Sequence, residues 1–325
     1  MNRPILSATR FSLAPMEGVV DATMRRILTS IAGVDECVTE FLRVTNTTYP
    51  EKVFRRICPE LANDCRTDSG TPVTLQILGG DPDAMARNAL KAVTLGATKI
   101  DVNFGCPAKT VNRSDGGAII LREPERVLNI LARLRAELPT SVPLSAKMRL
   151  GYEDKTLMLE NALAAQSAGI CKLTIHGRTK REGYKPPADW YSIKQISDLL
   201  DIPVVPNGDI TSVESFTRCR EIVAADEYMV GRGLLANPGL INEIRGFDAL
   251  SWQQFLPHLF DFQESEMEFG ERRHQGNRIK QWLAYLKQHY QEADGFFDEV
   301  KRMTNPDDIL RAIDTEIVRM GRTAF

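Results

Sequence analysis

The sequence predicts an α/β fold, a (β/α)₈ TIM barrel followed by a small all-helical C-terminal domain, and three observations lead there. Eight strand-like runs alternate with helix-like runs, the order that makes a parallel sheet with crossover helices. Polar and glycine-rich clusters gather at the C-terminal ends of those runs, the face that carries the active site in such barrels. From about Phe247 the strands stop and the pattern becomes helical.

In order, the strands are Phe11–Ala14, Glu36–Phe41, Pro72–Leu78, Lys99–Asn103, Pro143–Met148, Cys171–Ile175, Pro203–Pro206 and Glu227–Val230. Between them Asp83–Leu95, Pro124–Leu138, Thr156–Ala168 and Ser212–Val223 carry apolar residues at helical spacing. Pro82, Pro124 and Gly169 stand where helices should start and stop. An open doubly wound sheet competes with the barrel. The eighth strand and the clusters at one end favour closure. The expected division is a barrel over residues 1–246 and a helical domain over 247–325, with turns near Gly276 and Asn305-Pro306.

Composition bounds the function. With 43% hydrophobic and 26% charged residues the chain reads as a soluble globular enzyme, and a net charge of −2 confines any nucleic-acid contact to a local basic surface. No run reaches the ~18–20 apolar residues of a membrane span, and Met1 to Arg10 lacks the apolar stretch of a secretory signal. The six cysteines form no C-x-x-C pair and no cluster at zinc spacing. A reduced, cytoplasmic protein with neither disulfides nor a metal site is expected.

The residues that carry chemistry fall in the clusters. Asn207-Gly208-Asp209 and Gly231-Arg232-Gly233 follow the seventh and eighth predicted strands, the recurrent phosphate position in these barrels. Glycines there admit close backbone approach, and the arginine adds charge. Lys147, at the end of Leu144-Ser145-Ala146-Lys147-Met148-Arg149, is placed to stabilise negative charge on a reduced flavin, or else to snorkel outward. Gln76 is either a flavin contact or a satisfied core glutamine. Cys106 stands on a loop, not inside an element, in Asn103-Phe104-Gly105-Cys106-Pro107-Ala108-Lys109. A free thiol is mostly protonated at neutral pH, which suits a general acid; a nucleophilic dyad with His176 is the alternative. His176-Gly177-Arg178-Thr179 suits phosphate or pyrimidine oxygens. Arg272 to Tyr290 holds Arg272, Arg273, Arg278, Lys280 and Lys287 without an acidic residue, beside an apolar stripe of Ile279, Trp282, Leu283, Leu286 and Tyr290. That is the pattern of RNA backbone contact or of a solvated helix face.

Taken in order, Ala14-Pro15-Met16-Glu17-Gly18, Asn103-x-Gly-Cys-Pro-x-Lys109, Lys147-Met-Arg-Leu-Gly151, His176-Gly-Arg-Thr179, Asn207-Gly208-Asp209 and Gly231-Arg232-Gly233 resemble the tRNA-dihydrouridine synthase family across nearly the whole chain. Phe54-Arg55-Arg56-Ile57-Cys58-Pro59-Glu60-Leu61 and Arg278-Ile279-Lys280-Gln281-Trp282-Leu283 resemble its bacterial C subfamily, which acts on uridine 16 of the D-loop. The resemblance implies FMN as bound cofactor, NADPH as reductant, hydride transfer to C6 of uracil and protonation of C5 by Cys106. It implies flavin contacts at Pro15, Met16, Glu17, Gln76, Lys147, Asn207, Gly208, Asp209, Gly231 and Arg232, with His176 near the phosphate or ring. It implies tRNA contacts at Arg43, Asn103, Tyr184, Arg278, Lys280, Tyr285 and Lys301. Phe104 stands where some relatives carry a second cysteine, leaving Cys106 as the acid candidate of this loop. A monomer without protein partners is expected. The rival readings are a barrel flavoenzyme acting on a free pyrimidine of the dihydroorotate type and a non-catalytic tRNA-binding protein.

Overall fold

A computed structural model describes residues 8–31, 33–269 and 275–322. Its strands are β1 Arg10–Leu13, β2 Glu36–Val38, β3 Leu42–Arg43, β4 Val73–Leu78, β5 Ile100–Phe104, β6 Leu144–Arg149, β7 Lys172–His176, β8 Val204–Asn207 and β9 Glu227–Val230. All pair in parallel in the order β2-β1-β9-β8-β7-β6-β5-β4-β3, and a further β2–β4 pairing closes the ring. The closed barrel replaces the open-sheet alternative.

One predicted strand is corrected. Glu36–Phe41 is shortened to β2, and β3 follows beyond its expected end; the two lie one after the other along β4 and together make a single stave. Between them the Thr39 N–H still reaches the Thr74 carbonyl, but the N–H of Gln76 is taken by the Thr39 hydroxyl at 3.0 Å, where a ladder would offer a carbonyl. A threonine hydroxyl competing for backbone partners interrupts the pairing.

The crossover helices are α1 Ala22–Ile31, α2 Glu51–Ile57, α3 Pro82–Thr94, α4 Lys109–Arg113, α5 Pro124–Glu137, α6 Met158–Ser167, α7 Trp190–Leu199, α8 Val213–Ile222, α9 Arg232–Ala236 and α10 Leu240–Ile244. Local sequence explains their ends. Asp81 accepts the Ala84 N–H ahead of Pro82, Asp189 accepts from Ser192, and Ser212 and Ser215 cap each other reciprocally. The predicted apolar spacing is realised in α5, which buries Val127, Ile130, Leu131 and Leu134.

Inside the barrel, alternation sends every second residue inward. At the lower end Glu36 accepts from Thr74 at 2.6 Å, Lys172 at 2.8 Å and Lys99 at 3.0 Å, and Lys172 also meets Glu227 at 3.0 Å. Burial opposes ionisation of Glu36, but the charges of Lys172 and Lys99 outweigh it and hold its pKa down at about 2. Above this cluster Asp101 accepts from the Ser145 hydroxyl at 2.6 Å and from the Gln76 amide at 2.7 Å.

The chain from Trp252 is helical, in α11 Trp252–Phe269, α12 Asn277–Leu286, α13 Gln291–Val300 and α14 Pro306–Arg322. Trp282 on α12 is the hub. It meets Phe255 edge-on at 5.3 Å and Phe262 at 4.9 Å, and its indole N–H donates to the Leu235 carbonyl of α9 at 3.1 Å. Arg26 of α1 and Asp261 of α11 form a second tie, with both guanidinium nitrogens engaged at 2.7 and 2.9 Å. No described helix is long and apolar enough to cross a membrane.

Removing the Trp282 side chain should empty the joint between α12 and the barrel. Trp282→Ala is expected to destabilise the protein by about 3–5 kcal/mol, read from denaturant unfolding against the wild type. A loss below ~1 kcal/mol would show that this hub does not hold the joint.

Candidate active site

The clusters at the strand ends surround one cavity of ≈ 720 Å³. Its wall is made by Pro15, Met16 and Glu17 after β1, Asn103 and Cys106 at the end of β5, Lys147 and Arg149 on β6, and His176 with Tyr184 after β7. Asn207, Gly208 and Asp209 after β8, Gly231 and Arg232 after β9, and Tyr285 of α12 complete it.

The Cys106 loop is anchored from beneath. Asn103 donates to the Gln76 side-chain oxygen at 2.8 Å, and its own oxygen accepts the N–H groups of Gly105 at 2.8 Å and Cys106 at 2.6 Å. A continuous chain therefore runs from Asp101 through Gln76 and Asn103 to the backbone of Cys106. Burial, followed by the nearby carboxylate of Glu17, pushes the Cys106 thiol up from its ordinary value, with an Ala108 backbone bond and the charges of Arg149 and Arg43 opposing. The thiol is therefore protonated at neutral pH.

The wall beside it, from β6 onward, is cationic. Lys147, half-buried, makes no ion pair or hydrogen bond among the described residues. Burial, and then repulsion from Arg149, pushes its pKa down to about 8. Burial and then the charges of Lys147, Arg149, Arg178 and Arg232 push His176 well below its usual value. Arg178 Nη1 lies 3.2 Å from His176 Nε2. A guanidinium only donates, so Nε2 accepts and the ring proton sits on Nδ1. Among the described residues no hydrogen bond joins His176 to Cys106. With a neutral imidazole turned to Arg178 and a protonated thiol, the nucleophilic dyad is not formed.

The turn after β8 is held in an uncommon conformation. Gly208 has φ +119° and Asp209 φ +55°, a region that side chains other than asparagine and aspartate seldom enter. The Asp209 carboxylate accepts from Arg178 and from the Ala188 N–H, which locks it. A Cβ at Gly208 would stand 3.0 Å from Ala188 and 3.1 Å from the His176 ring, so glycine keeps this wall thin.

Gln76 does not reach the cavity wall. It is fully buried below Asn103 with both ends of its amide engaged. Arg43 donates to the Thr110 carbonyl at 3.2 Å, Arg278 pairs with Asp21 and donates to Val19 at 3.0 Å, Lys280 donates to the Met303 carbonyl, and Lys301 pairs with Asp298 at 2.6 Å. None of these four cations lines the cavity. Arg272 and Arg273 lie outside the described residues. Two arginines prove central: Arg149, whose place in the sequence suggested no role of its own, and Arg178, expected there only as part of a cluster for phosphate or pyrimidine oxygens. Arg149 is buried and donates to the carbonyls of Gly105 at 2.6 Å, Thr179 at 3.0 Å and Gly183 at 2.8 Å, with its guanidinium 5.1 Å from the Tyr184 ring. Arg178 ties His176, Asp209 and the Lys185 carbonyl together. Arg149 stands two residues beyond Lys147 on β6, the spacing that returns to one face of a strand, and Arg178 follows His176 just past the end of β7.

A barrel with a protonated cysteine and an unpaired lysine at its C-terminal mouth, and helices behind it, defines a class that the family comparison identifies. The profile of the dihydrouridine synthase (Dus) family matches residues 12–316, and the chain belongs to that family. Among its relatives, a tRNA-dihydrouridine(16) synthase of Shewanella oneidensis is 45% identical over 94% of this chain and 97% of its own length. Proteins of the same name from Neisseria meningitidis (44% identical over 94% of each chain) and Ralstonia nicotianae (41% over 97% of this chain and 98% of its own) are comparably similar. Among solved structures, a 2-naphthoyl-CoA reductase superposes with a TM-score of 0.57 at 12% identity. The match covers 73% of this chain and 50% of that one. A histamine dehydrogenase superposes at 0.54 and 15% identity, over 78% and 48%. These two likenesses concern the fold alone.

The depressed pKa of Lys147 has a stability consequence. With its folded pKa near 8 and its unfolded value near 10.5, the unfolded chain holds more protons between those limits, so stability should rise with pH across that window. Lys147→Met should raise the melting temperature of the ligand-free protein at pH 7, by no more than about 3 kcal/mol of stability, and remove that rise. Calorimetric melting temperatures from pH 7 to 10.5 test both; a parallel profile in the variant would refute the assignment.

Proposed function

We propose that this chain reduces uridine to 5,6-dihydrouridine in the D-loop of transfer RNA, at position 16, with FMN bound in the barrel mouth and NADPH as reductant. The observation that carries the reading is the pairing, in one cavity, of a thiol held protonated after β5 with an unpaired cation on the adjacent strand β6. The names of the relatives support the RNA substrate and the position.

The residues fit such a cofactor. At ≈ 720 Å³ the cavity lies within the ~300–1,000 Å³ of sites that enclose small ligands. Lys147 lacks a counter-ion among the described residues, and Arg232 at the rim is only 3.7 Å from a carboxylate already engaged by Arg178. An anionic ligand balances both. We assign its phosphate to the turns at Asn207, Gly208, Asp209, Gly231 and Arg232, with His176 beside them. Its ring is assigned to Lys147 and the Pro15–Met16–Glu17 turn, with Gln76 supporting that wall from behind Asn103.

When bound in this cavity and reduced by NADPH, FMN would supply the hydride for C6 of the uracil. Cys106 donates the proton to C5, and burial keeps that proton on sulfur until the base is in place. Arg149 fixes the donor by holding the Gly105 carbonyl. The reacting base must leave its stack to reach the barrel. Tyr184, 55% exposed at the mouth between the guanidinium groups of Arg149 and Arg232, is suited to receive it or its neighbour by stacking. Tyr285 faces it from α12. Arg43, Lys280 and Lys301 are assigned to the RNA backbone; the exposed Lys301–Asp298 pair is worth ~0–1 kcal/mol and yields readily to a phosphate. Arg278, tied to Asp21 and Val19, sets α12 against the turn after β1.

Mass-spectrometric mapping of unmodified tRNA after incubation with the protein and NADPH tests the reaction. A gain of two hydrogens at uridine 16 is expected; a gain elsewhere in the D-loop would overturn the position, and none would overturn the reaction. Cys106→Ala should keep flavin and tRNA while turnover falls by about 10²–10⁴. Full turnover in that variant would remove Cys106 from the mechanism. Tyr184→Ala should raise the KM for tRNA by about tenfold, the worth of ~1–3 kcal/mol of stacking, with flavin content unchanged. An unaltered KM would take Tyr184 out of RNA recognition.

A further inference from the structure

Every reduction consumes one proton from Cys106, and the thiolate left behind must recover it before the next base enters. We propose that the Glu17 side chain is the group that reloads Cys106, passing its carboxyl proton to the sulfur and being refilled from water at the cavity mouth. This rests on the reaction proposed above.

The geometry singles out Glu17. It stands in the turn after β1, lines the same cavity as Cys106, acts electrostatically on that thiol and is itself exposed, so it borders both the cavity and solvent. A second carboxylate is fixed against the same turn, because Glu40, in the gap between β2 and β3, accepts the N–H of Gly18. Two like charges so close cannot both ionise freely. Burial, and then the charge of Glu40, push Glu17 up to about 7, with Arg56 opposing. Cys106 in turn feels Glu17, Arg149, Arg43 and, more weakly, Lys147. A donor near 7 delivers a proton downhill to a thiolate whose conjugate acid lies above its ordinary value, and it recharges from water at neutral pH. The other titratable groups of the wall serve less well. His176 is neutral and turned to Arg178, and Lys147 is half-buried on β6 where Glu17 is exposed.

The atoms balance. As C5–H forms, the Cys106 S–H bond breaks and leaves a thiolate; as S–H re-forms, the Glu17 O–H bond breaks and leaves a carboxylate, which takes a proton from water. One solvent proton enters per turnover, and nothing is oxidised or reduced in the relay itself.

Three variants test it through signatures that a merely structural role would not move. Wild-type turnover should fall as pH rises through about 7, where Glu17 loses its proton. Glu17→Gln should abolish that limb and slow turnover at pH 6 by about 10²-fold. Glu17→Ala should be partly rescued by added formate, and Glu40→Gln, which removes the like charge, should move the limb to lower pH. An independent readout needs no RNA: alkylation of Cys106 by iodoacetamide, followed on its peptide by mass spectrometry, should shift to lower pH in Glu17→Gln as a neighbouring negative charge is lost. A wild-type pH limb and rate in Glu17→Gln, or an unshifted Cys106 alkylation profile, would overturn the relay. A shifted alkylation profile in a protein that forms no dihydrouridine would overturn the proposed reaction and leave the carboxyl–thiol coupling standing.

Discussion

A carboxylate with no path to water must find its donors inside the protein, and the geometry around Asp101 follows from that need. Asp101 is almost wholly enclosed among β4, β5 and β6, and burial raises its pKa against the bonds from Ser145 and Gln76 and the charges of Lys172 and Lys147. The bond from Gln76 fixes the orientation of that amide, whose oxygen then accepts from Asn103. Asn103 in turn presents its oxygen to the backbone of Gly105 and Cys106. In this way a loop at the barrel mouth inherits the rigidity of the sheet. Partly satisfied buried networks are costly, and in this one no buried side-chain nitrogen or oxygen of these residues is left without a partner.

The second organising element is positive charge. Arg149 and Arg178 are both nearly inaccessible, yet each gathers backbone carbonyls or a carboxylate from loops that follow different strands. Arginine suits this work because its planar fork offers five donors at fixed angles. Burial first, and then these charges, depress His176, and burial followed by Arg149 depresses Lys147, so the structural ties also bear on the protonation of the wall. Packing and chemistry here are one arrangement.

Much of this was legible in the chain. The barrel could be read because period-two apolar runs and helical spacing alternate regularly, and because Asn207-Gly208-Asp209 and Gly231-Arg232-Gly233 fall where a barrel gathers its loops. Cys106 could be read because a cysteine on a polar loop lacks the packing role that buries Cys37 or Cys219. The break between β2 and β3 could not, since it depends on a hydroxyl of Thr39 meeting an N–H on a strand 37 residues away. Gln76 kept two readings for a related reason: whether an inward amide meets a ligand or a neighbour depends on depth along the strand, and one further residue towards the mouth separates Gln76 from the wall. Arg278 and Lys280 were visible in a basic run, but their partners, Asp21 and Met303, are fixed only by tertiary contact.

The ion cluster at the lower end of the barrel has a consequence for traffic. Glu36, Lys99, Lys172 and Glu227 close the floor with paired charges, and the layers above them are filled with side chains. Among the described residues the cavity at the C-terminal mouth therefore has a single doorway, walled off from the hollow beneath the floor. Whatever the barrel accepts and whatever it releases must use the same opening, so a bulky visitor and the partner that prepares the site for it have to take turns. Queueing at one threshold is thus built into the architecture, from a salt-bridged floor at the far end of the strands.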